Sequence, residues 1–259
     1  MICNFSNVAF SICGFAIHWY SLAYIFGIII ALKLSVFLSQ KNKINISPSS
    51  LEDFISFAIV GIILGGRAGY VLFYEFDYYS KFPMEIFKVW KGGMAFYGGF
   101  LGVVVSTYYF CRKRGINFWE FSDLWSISTP IGLFLGRIAN FINGELPGKA
   151  ADLPWSVVFN DGILRHPSQL YEAILEGLIL FIVMIISFKK RCFLYKGRLS
   201  GIFCFGYGFM RFVVEFFREP DSDFSYKLFY MSGLNLNQYI SVIMTLFGCL
   251  LFFKSLNHE

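Results

Sequence analysis

The run Gly136-Arg137-Ile138-Ala139-Asn140-Phe141-Ile142-Asn143-Gly144-Glu145-Leu146-Pro147-Gly148 ends an apolar stretch with a cation, two amides and a carboxylate. An arginine near a bilayer costs roughly 2.5–3.5 kcal/mol on insertion scales, so it faces protein or a wet cavity and marks a functional site. Arg137 and Asn140 are three apart, which on a helix puts the guanidinium and the amide on one face. Tyr207, Arg211, Glu215 and Arg218 follow an i, i+4, i+8, i+11 course along one stripe, and Gln169, Glu172 and Glu176 mark out another. Such groups are suited to holding an anion. A guanidinium fork donates two parallel hydrogen bonds to phosphate oxygens and keeps its charge at any accessible pH. Displacement at the carbon bearing that phosphate would put negative charge on the leaving oxygen, which fixed guanidinium groups stabilise in a poorly hydrated site. The nucleophile then comes from a second substrate or a protein thiol. None of the six cysteines (Cys3, Cys13, Cys111, Cys192, Cys204, Cys249) falls among the polar residues. With no CxxC, GxSxG or HExxH pattern, covalent, redox and metal catalysis receive no support.

The elements that position these groups are apolar helices. Of the 259 residues 56% are hydrophobic and 15% charged, and the mean hydropathy of +0.59 is too high for an ordinary soluble domain. The composition predicts an all-α integral membrane protein, a polytopic bundle of about seven transmembrane helices forming one domain over residues 1–259. Hydrophobic windows fall near Ile17 to Leu38, Phe54 to Tyr74, Gly93 to Cys111, Leu124 to Ile142, Tyr171 to Phe188, Leu199 to Phe217 and Tyr239 to Phe253. The first window lacks a basic segment ahead of it, so a cleaved signal peptide is not expected. Basic residues cluster after the first window (Lys41, Lys43), the third (Arg112, Lys113, Arg114) and the fifth (Lys189, Lys190, Arg191, Lys196, Arg198). The positive-inside rule puts those loops and the C-terminus in the cytoplasm, with the N-terminus and the loops around Asp77, Lys149 and Asp221 outside. The net charge of +5 is then mostly cytoplasmic loop charge drawn to anionic headgroups and not a nucleic-acid signal.

With that orientation the polar residues gather at one depth. Arg67, Arg137, Asn140, Arg211, Glu215 and Arg218 end outward-running helices. His18, Tyr20, Tyr97, Gln169, Glu172 and Glu176 begin inward-running ones, and Lys33 alone sits near an inner end. The result is a polar chamber open toward the outer leaflet, where a phospholipid headgroup resides. His18 beside Trp19 and Tyr20 reads first as an interfacial aromatic belt, and His166 as help in capping the helix that follows it. Gly61/Gly65/Gly69, Gly98/Gly102 and Gly132/Gly136 read as close helix packing. Gly92-Gly93 and Gly98-Gly99, flanking Met94-Ala95-Phe96-Tyr97, predict irregular backbone at a helix mouth.

The Gly136–Gly148 run resembles the signature of the bacterial prolipoprotein diacylglyceryl transferases in its glycine, arginine, both asparagines, glutamate and final glycine. The resemblance extends in order through His18-Trp19-Tyr20, Gly65-Gly66-Arg67-Ala68-Gly69-Tyr70, Gly92-Gly93-Met94, Arg165-His166-Pro167-Ser168-Gln169-Leu170-Tyr171-Glu172, and Tyr207-Gly208 through Arg211 to Glu215-Phe216-Phe217-Arg218. It implies a bacterial inner-membrane enzyme needing no metal or nucleotide. Such an enzyme moves the diacylglyceryl group of phosphatidylglycerol onto the lipobox cysteine of a prolipoprotein, forming a thioether and releasing glycerol phosphate. By the same resemblance Arg137 binds the lipid phosphate, Asn140, Asn143, Gly144 and Glu145 shape the headgroup pocket, and Arg211 is a second essential cation. Tyr20 and Tyr207 match further site positions.

One position departs from the pattern. Where many family members carry a histidine proposed to take the thiol proton, this chain has Tyr97. A cysteine thiol titrates near 8.5 and a phenol near 10, so neutral tyrosine is a poor base. Tyr97 is expected instead to hydrogen-bond the phosphate or orient the lipid, leaving Glu145, Glu215, His18 or the arginine field to draw off the proton. The loop from Gly148 to Arg165 is shorter than in longer relatives. Two further readings use the same residues: a transporter or flippase for an anionic lipid or solute, and a non-catalytic scaffold locked by ion pairs. The polar groups stop at one depth and no inverted repeat is evident, which disfavours transport. The scaffold predicts that loss of Arg137 damages folding and not activity.

Overall fold

A computed structural model describes residues 6–12, 15–219 and 232–256. Cys3, Cys13 and Asp221 lie outside the described residues. The chain is mostly helical, and each of the seven apolar windows is a helix: α1 (Trp19–Lys41), α2 (Pro48–Phe73), α4 (Phe96–Arg114), α5 (Phe118–Asn143), a continuous helix over Ser168–Lys189, α8 (Arg198–Val214) and α9 (Leu236–Leu256). The short α3 (Phe76–Lys81) follows α2. Four of them, α1, α2, Ser168–Lys189 and α9, are long and apolar enough to cross a membrane. The all-helical expectation needs one amendment. Ile17 and His18, expected to open the first helix, belong instead to β2 (Phe15–His18), which pairs antiparallel with β1 (Val8–Ile12). A second two-residue hairpin joins β3 (Val157–Val158) to β4 (Leu164–Arg165).

The described residues fall into two compact units. One comprises the chain through Phe37 and from Asp123 onward, the other Leu38–Ser122. In the first unit, Gly201 and Gly208 of α8 are pressed against α9. A Cβ at Gly201 would meet Phe252 N at 2.9 Å and Gly248 O at 3.0 Å, and one at Gly208 would meet Ser241 O at 2.7 Å. Small residues are therefore required where these backbones touch. The buried Asp123 of α5 fixes the start of α8, accepting from the backbone N–H groups of Gly197 and Ser200 and from the Ser200 hydroxyl, each at 2.7 Å. That satisfies donors a helix N-terminus leaves over. Asn235 and Gln238 do the same for α9 by exchanging side-chain and backbone hydrogen bonds at 2.9 Å.

The Ser168–Lys189 helix is not uniform. It begins as α6 (Ser168–Glu172), widens into a π-helical stretch over Ala173–Ile179, and returns to α7 (Leu180–Lys189). Within the π stretch Gly177 lies against α5, where a Cβ would come within 2.6 Å of the Phe134 Cβ.

In the second unit the expected glycine packing is present. A Cβ at Gly69 would meet Gly98 Cα at 2.8 Å, and one at Gly61 would meet Gly102 O at 2.6 Å, so α2 and α4 touch backbone to backbone. Gly98 and Gly99 accordingly lie within α4 and do not break it. Irregular backbone is confined to Gly92 and Gly93, whose φ angles of 83° and 80° are accessible to glycine at little cost. Phe54, Phe110 and Phe121 form this unit's aromatic core, with ring centroids 5.0–5.5 Å apart.

Candidate active site

The end of α5 is built by the signature run itself. The helix stops after Asn143 because Gly144 turns the chain with φ 68°, and the Glu145 N–H then closes back onto the Asn140 carbonyl at 3.0 Å. Asn143 Nδ2 donates to the Glu145 carboxylate at 3.2 Å. The turn is bolted to the start of α6. Gln169 Nε2 donates to the Glu145 carbonyl at 2.6 Å and the Ser168 hydroxyl to the Leu146 carbonyl at 3.2 Å. Beyond it the chain threads between two neighbours. The Gly148 N–H donates to the His166 carbonyl at 3.0 Å and the Lys149 N–H to the Phe217 carbonyl at 2.9 Å. A Cβ at Gly148 would lie 2.6 Å from Phe217 O and 2.7 Å from His166 Cβ, which explains the final glycine of the run. Gly132 lies against α1, its Cα 3.3 Å from a Cβ placed on Gly27, but Gly136 differs from the expectation: a Cβ there would meet nothing within 4 Å, so it is not a packing glycine.

Three arginines and three glutamates meet beneath this turn. Glu172 is the hub. It lies 3.1 Å from Arg137 Nε and 2.7 Å from Arg218 Nη1, and it also accepts from Arg211 Nη1. Arg211 reaches Glu215 at 2.8 Å and Glu176 at 3.6 Å, while Arg218 Nε lies 3.5 Å from Glu215. Arg137 Nη2 is 3.8 Å from Glu176. The carboxylates are fully buried, as the low side-chain exposures of Arg211 (6%) and Arg218 (3%) nearly are, whereas Arg137 retains 13%. Charges so deep persist only when paired. Arg137 is the loosest and most accessible cation of the set.

The remaining predicted residues surround Arg137 on the same unit. Both Tyr20 and Tyr24 lie within the fields of Arg137 and Glu145. Tyr207, 3% exposed, sits in the fields of Arg137 and Arg211. Asn140 and Asn143 are buried with amide oxygens that have no hydrogen-bond donor among the described residues, as is Gln169 Oε1. Tyr97 belongs to the other unit, as the second residue of α4, beside Phe96 at a ring distance of 5.4 Å.

Arg67 has a different use from the chamber arginines. In the second unit its Nε donates to the Ile86 carbonyl at 2.8 Å, its Nη2 to Glu85 O at 2.7 Å, and its Nη1 to Gly92 O at 2.6 Å and Gly93 O at 3.2 Å. Its guanidinium also rests 4.9 Å from the Tyr79 ring centroid. It clamps the 85–93 segment ahead of α4. His166 does not cap α6 through its side chain. Its carbonyl accepts from Ser168 N–H at 2.8 Å, while Nδ1 lies 3.2 Å from the Tyr171 hydroxyl. Burial and nearby Lys149 hold the imidazole below its ordinary titration range. His18 is exposed at the end of β2.

Sequence reasoning missed Asn235 and Asn237 at the head of α9. Their amides donate to the far oxygen of Glu215 at 3.2 and 3.0 Å. The signal was available: Asn235 and Gln238 flank a helix start at cap spacing, and Asn237 shares the first turn. Among the described residues no group of His, Cys, Asp or Glu side chains could hold a metal ion.

Known proteins are similar to this chain along nearly its whole length. A family model described as prolipoprotein diacylglyceryl transferase matches residues 7–254. A phosphatidylglycerol–prolipoprotein diacylglyceryl transferase of Ehrlichia ruminantium (strain Welgevonden) is 44% identical over 262 residues, covering 99% of both chains. Proteins of the same name from a Wolbachia of Brugia malayi and from Nitrobacter hamburgensis are 45% and 46% identical. They cover 99% and 94% of this chain and 97% and 86% of their own lengths. The chain belongs to the prolipoprotein diacylglyceryl transferase family.

Proposed function

We propose that this protein transfers the diacylglyceryl group of phosphatidylglycerol to the lipobox cysteine thiol of a prolipoprotein, with Arg137 holding the lipid phosphate. The observation that carries the assignment of Arg137 is its looseness within an otherwise tight network: it is the chamber arginine with exposure and long contacts, so it has the most donor capacity to spend on a ligand. The buried amide oxygens of Asn140 and Asn143 are acceptors, and a glycerol headgroup supplies hydroxyl donors. Gly144 and Glu145 form the turn that carries these groups. Tyr20 and Tyr207 flank Arg137, and Arg211 supports the leaving phosphate by the positive field it adds.

In the reaction, the thiol sulfur forms a bond to the glycerol carbon as the carbon–oxygen bond to phosphate breaks. The thiol proton leaves to a base or to the phosphate released. Tyr97 orients the lipid; Tyr97→Phe with turnover intact and Tyr97→His with turnover raised would refute that role and favour an imidazole base. We further propose that the seven helices all span the bacterial inner membrane with the N-terminus outside, the C-terminus cytoplasmic and the chamber toward the outer leaflet. The basic loops after the first, third and fifth helices support this orientation. The whole chain acts as one catalytic domain, a reading supported by a family match that runs across both units. The substrates named for the relatives are the partners proposed here, together with membrane lipid and without nucleic acid, metal or nucleotide.

The test incubates the purified protein with phosphatidylglycerol and a lipobox peptide and reads the peptide mass, with Arg137→Ala alongside. A gain of one diacylglyceryl unit, lost in a variant that still melts cooperatively, is the expected result. No gain with folded wild-type protein overturns the assignment.

A further inference from the structure

The chamber holds three guanidinium groups against three carboxylates, a formal balance of zero when every group is charged. Glu145, close enough to share the field of Arg137 at Tyr20, adds a negative charge and no cation. A phosphodiester headgroup brings one more negative charge into this poorly hydrated site, where an uncompensated charge is expensive. The three carboxylates are not equally able to absorb it. Glu172 faces all three arginines within 3.1 Å and accepts hydrogen bonds from Arg211 and Arg218. Glu215 has Arg211 at 2.8 Å and two asparagine amides on its other oxygen. Glu176 differs: among the described residues its nearest cations are 3.6 and 3.8 Å away, and neither oxygen has a hydrogen-bond donor although it is fully buried.

The geometry points to Glu176 as the chamber's charge compensator, a carboxylate that takes up a proton when an anionic phosphate headgroup engages Arg137. The inference rests on the proposed phosphate role of Arg137. It follows from a shared cation: Arg137 is one of the two arginines beside Glu176, and a phosphate that draws its guanidinium away leaves that carboxylate facing Arg211 alone, with Glu172 as a negative neighbour and Arg218 farther off. A proton on Glu176 turns the network from neutral to +1 and balances the phosphodiester. Glu176 does not touch the lipid in this account; it is a positioning residue that acts through Arg137.

The test uses full-length protein in neutral detergent with dioctanoyl phosphatidylglycerol as the probe and dioctanoyl phosphatidylcholine as the zwitterionic control. Binding is followed by calorimetry in buffers of different ionisation enthalpy. Wild-type protein should take up about one proton per phosphatidylglycerol bound, and its affinity should weaken by up to about tenfold for each pH unit of increase across the neutral range. Glu176→Gln, permanently neutral, should bind with no proton uptake and with an affinity that does not follow pH. A purely structural glutamate would not move these readouts. Binding without proton uptake in wild-type protein overturns the inference and leaves the phosphate site standing, as does uptake that persists in Glu176→Gln. Failure of phosphatidylglycerol to bind in preference to the control overturns both. Should Glu176→Gln fail to fold, the wild-type proton count still decides whether a group is protonated. A protonated-carboxyl band in the lipid-induced infrared difference spectrum of the wild type shows whether that group is a carboxylate; absence of such a band overturns the inference.

Discussion

Replacing Arg137 and Arg211 in parallel separates an anion-binding arginine from one that holds the chamber together. Arg211 faces all three buried glutamates, two of them at hydrogen-bonding distance, and is 6% exposed. Arg211→Ala leaves those carboxylates short of their closest shared cation, and breaking a buried pair from one side costs about 3–5 kcal/mol. At roughly 2–4 °C per kcal/mol for a chain of this size, the melting temperature should fall by roughly 6–20 °C. Arg137 makes longer contacts at 3.1 and 3.8 Å, and Glu172 keeps two other arginines when it is lost. Arg137→Ala should therefore cost less than Arg211→Ala, about 1.5–3 kcal/mol, and move the melt by roughly 3–12 °C. Its effect on turnover should be far larger, on the order of 10²–10³-fold in kcat/KM, because a fixed charge facing the leaving phosphate is lost. Thermal melts in detergent and the lipobox-peptide mass assay on the same preparations provide both numbers. If Arg137→Ala melts as low as Arg211→Ala, Arg137 is an ion-pair lock like its neighbours, and the reasoning from its looseness fails.

Gly148→Ala has backbone within 2.7 Å of any added Cβ and should destabilise by about 1–3 kcal/mol, whereas Gly136→Ala meets nothing and should melt at or slightly above wild type, as alanine favours a helix by about 1 kcal/mol over glycine. Arg67→Ala orphans up to four backbone carbonyls at about 1 kcal/mol each, so trypsin should cut faster at Lys88 and Lys91, and Arg67→Lys, without the planar fork, should not restore protection. His166 titrates below its unfolded value, so the folded state binds that proton less readily than the unfolded chain. Stability should then fall as pH drops through the ordinary histidine range, and His166→Gln should flatten that limb of the melting-temperature profile.

The helices were legible because apolar residues recur over window lengths that only a helix can use in lipid, and all seven windows became helices. The chamber stripes were legible for a related reason: Glu172, Arg211 and Glu215 are ionisable residues at helical spacing, where composition leaves few structural excuses for them. Arg67 was read as one of that set from depth alone. Depth does not distinguish a guanidinium spent on ligand from one spent on backbone carbonyls, and the carbonyls of residues 85–93 have no sequence signature. Likewise Gly98 and Gly65 look alike on paper to Gly136, yet only a neighbouring backbone decides which of them is pressed against another helix. Ile17 and His18 read as the first turn of a helix because they lead into the apolar window; their pairing, within β2, with β1 satisfies the same backbone groups by another route.

The π-helical stretch gives the Ser168–Lys189 helix a property its sequence spacing alone would not have. Glu172, Glu176, Leu180, Met184 and Phe188 are buried at intervals of four. Along a uniform α-helix each such interval overshoots a full turn by roughly 40°, and the series would wind away around the cylinder. The wider turn over Ala173–Ile179, closing i to i+5, undershoots instead and resets the phase midway. A change of pitch therefore keeps the two chamber carboxylates and the apolar residues below them on a single line facing inward. A one-residue deletion that regularised this stretch would leave Gln169 and Glu172 in place while turning Met184 and Phe188 out of the core.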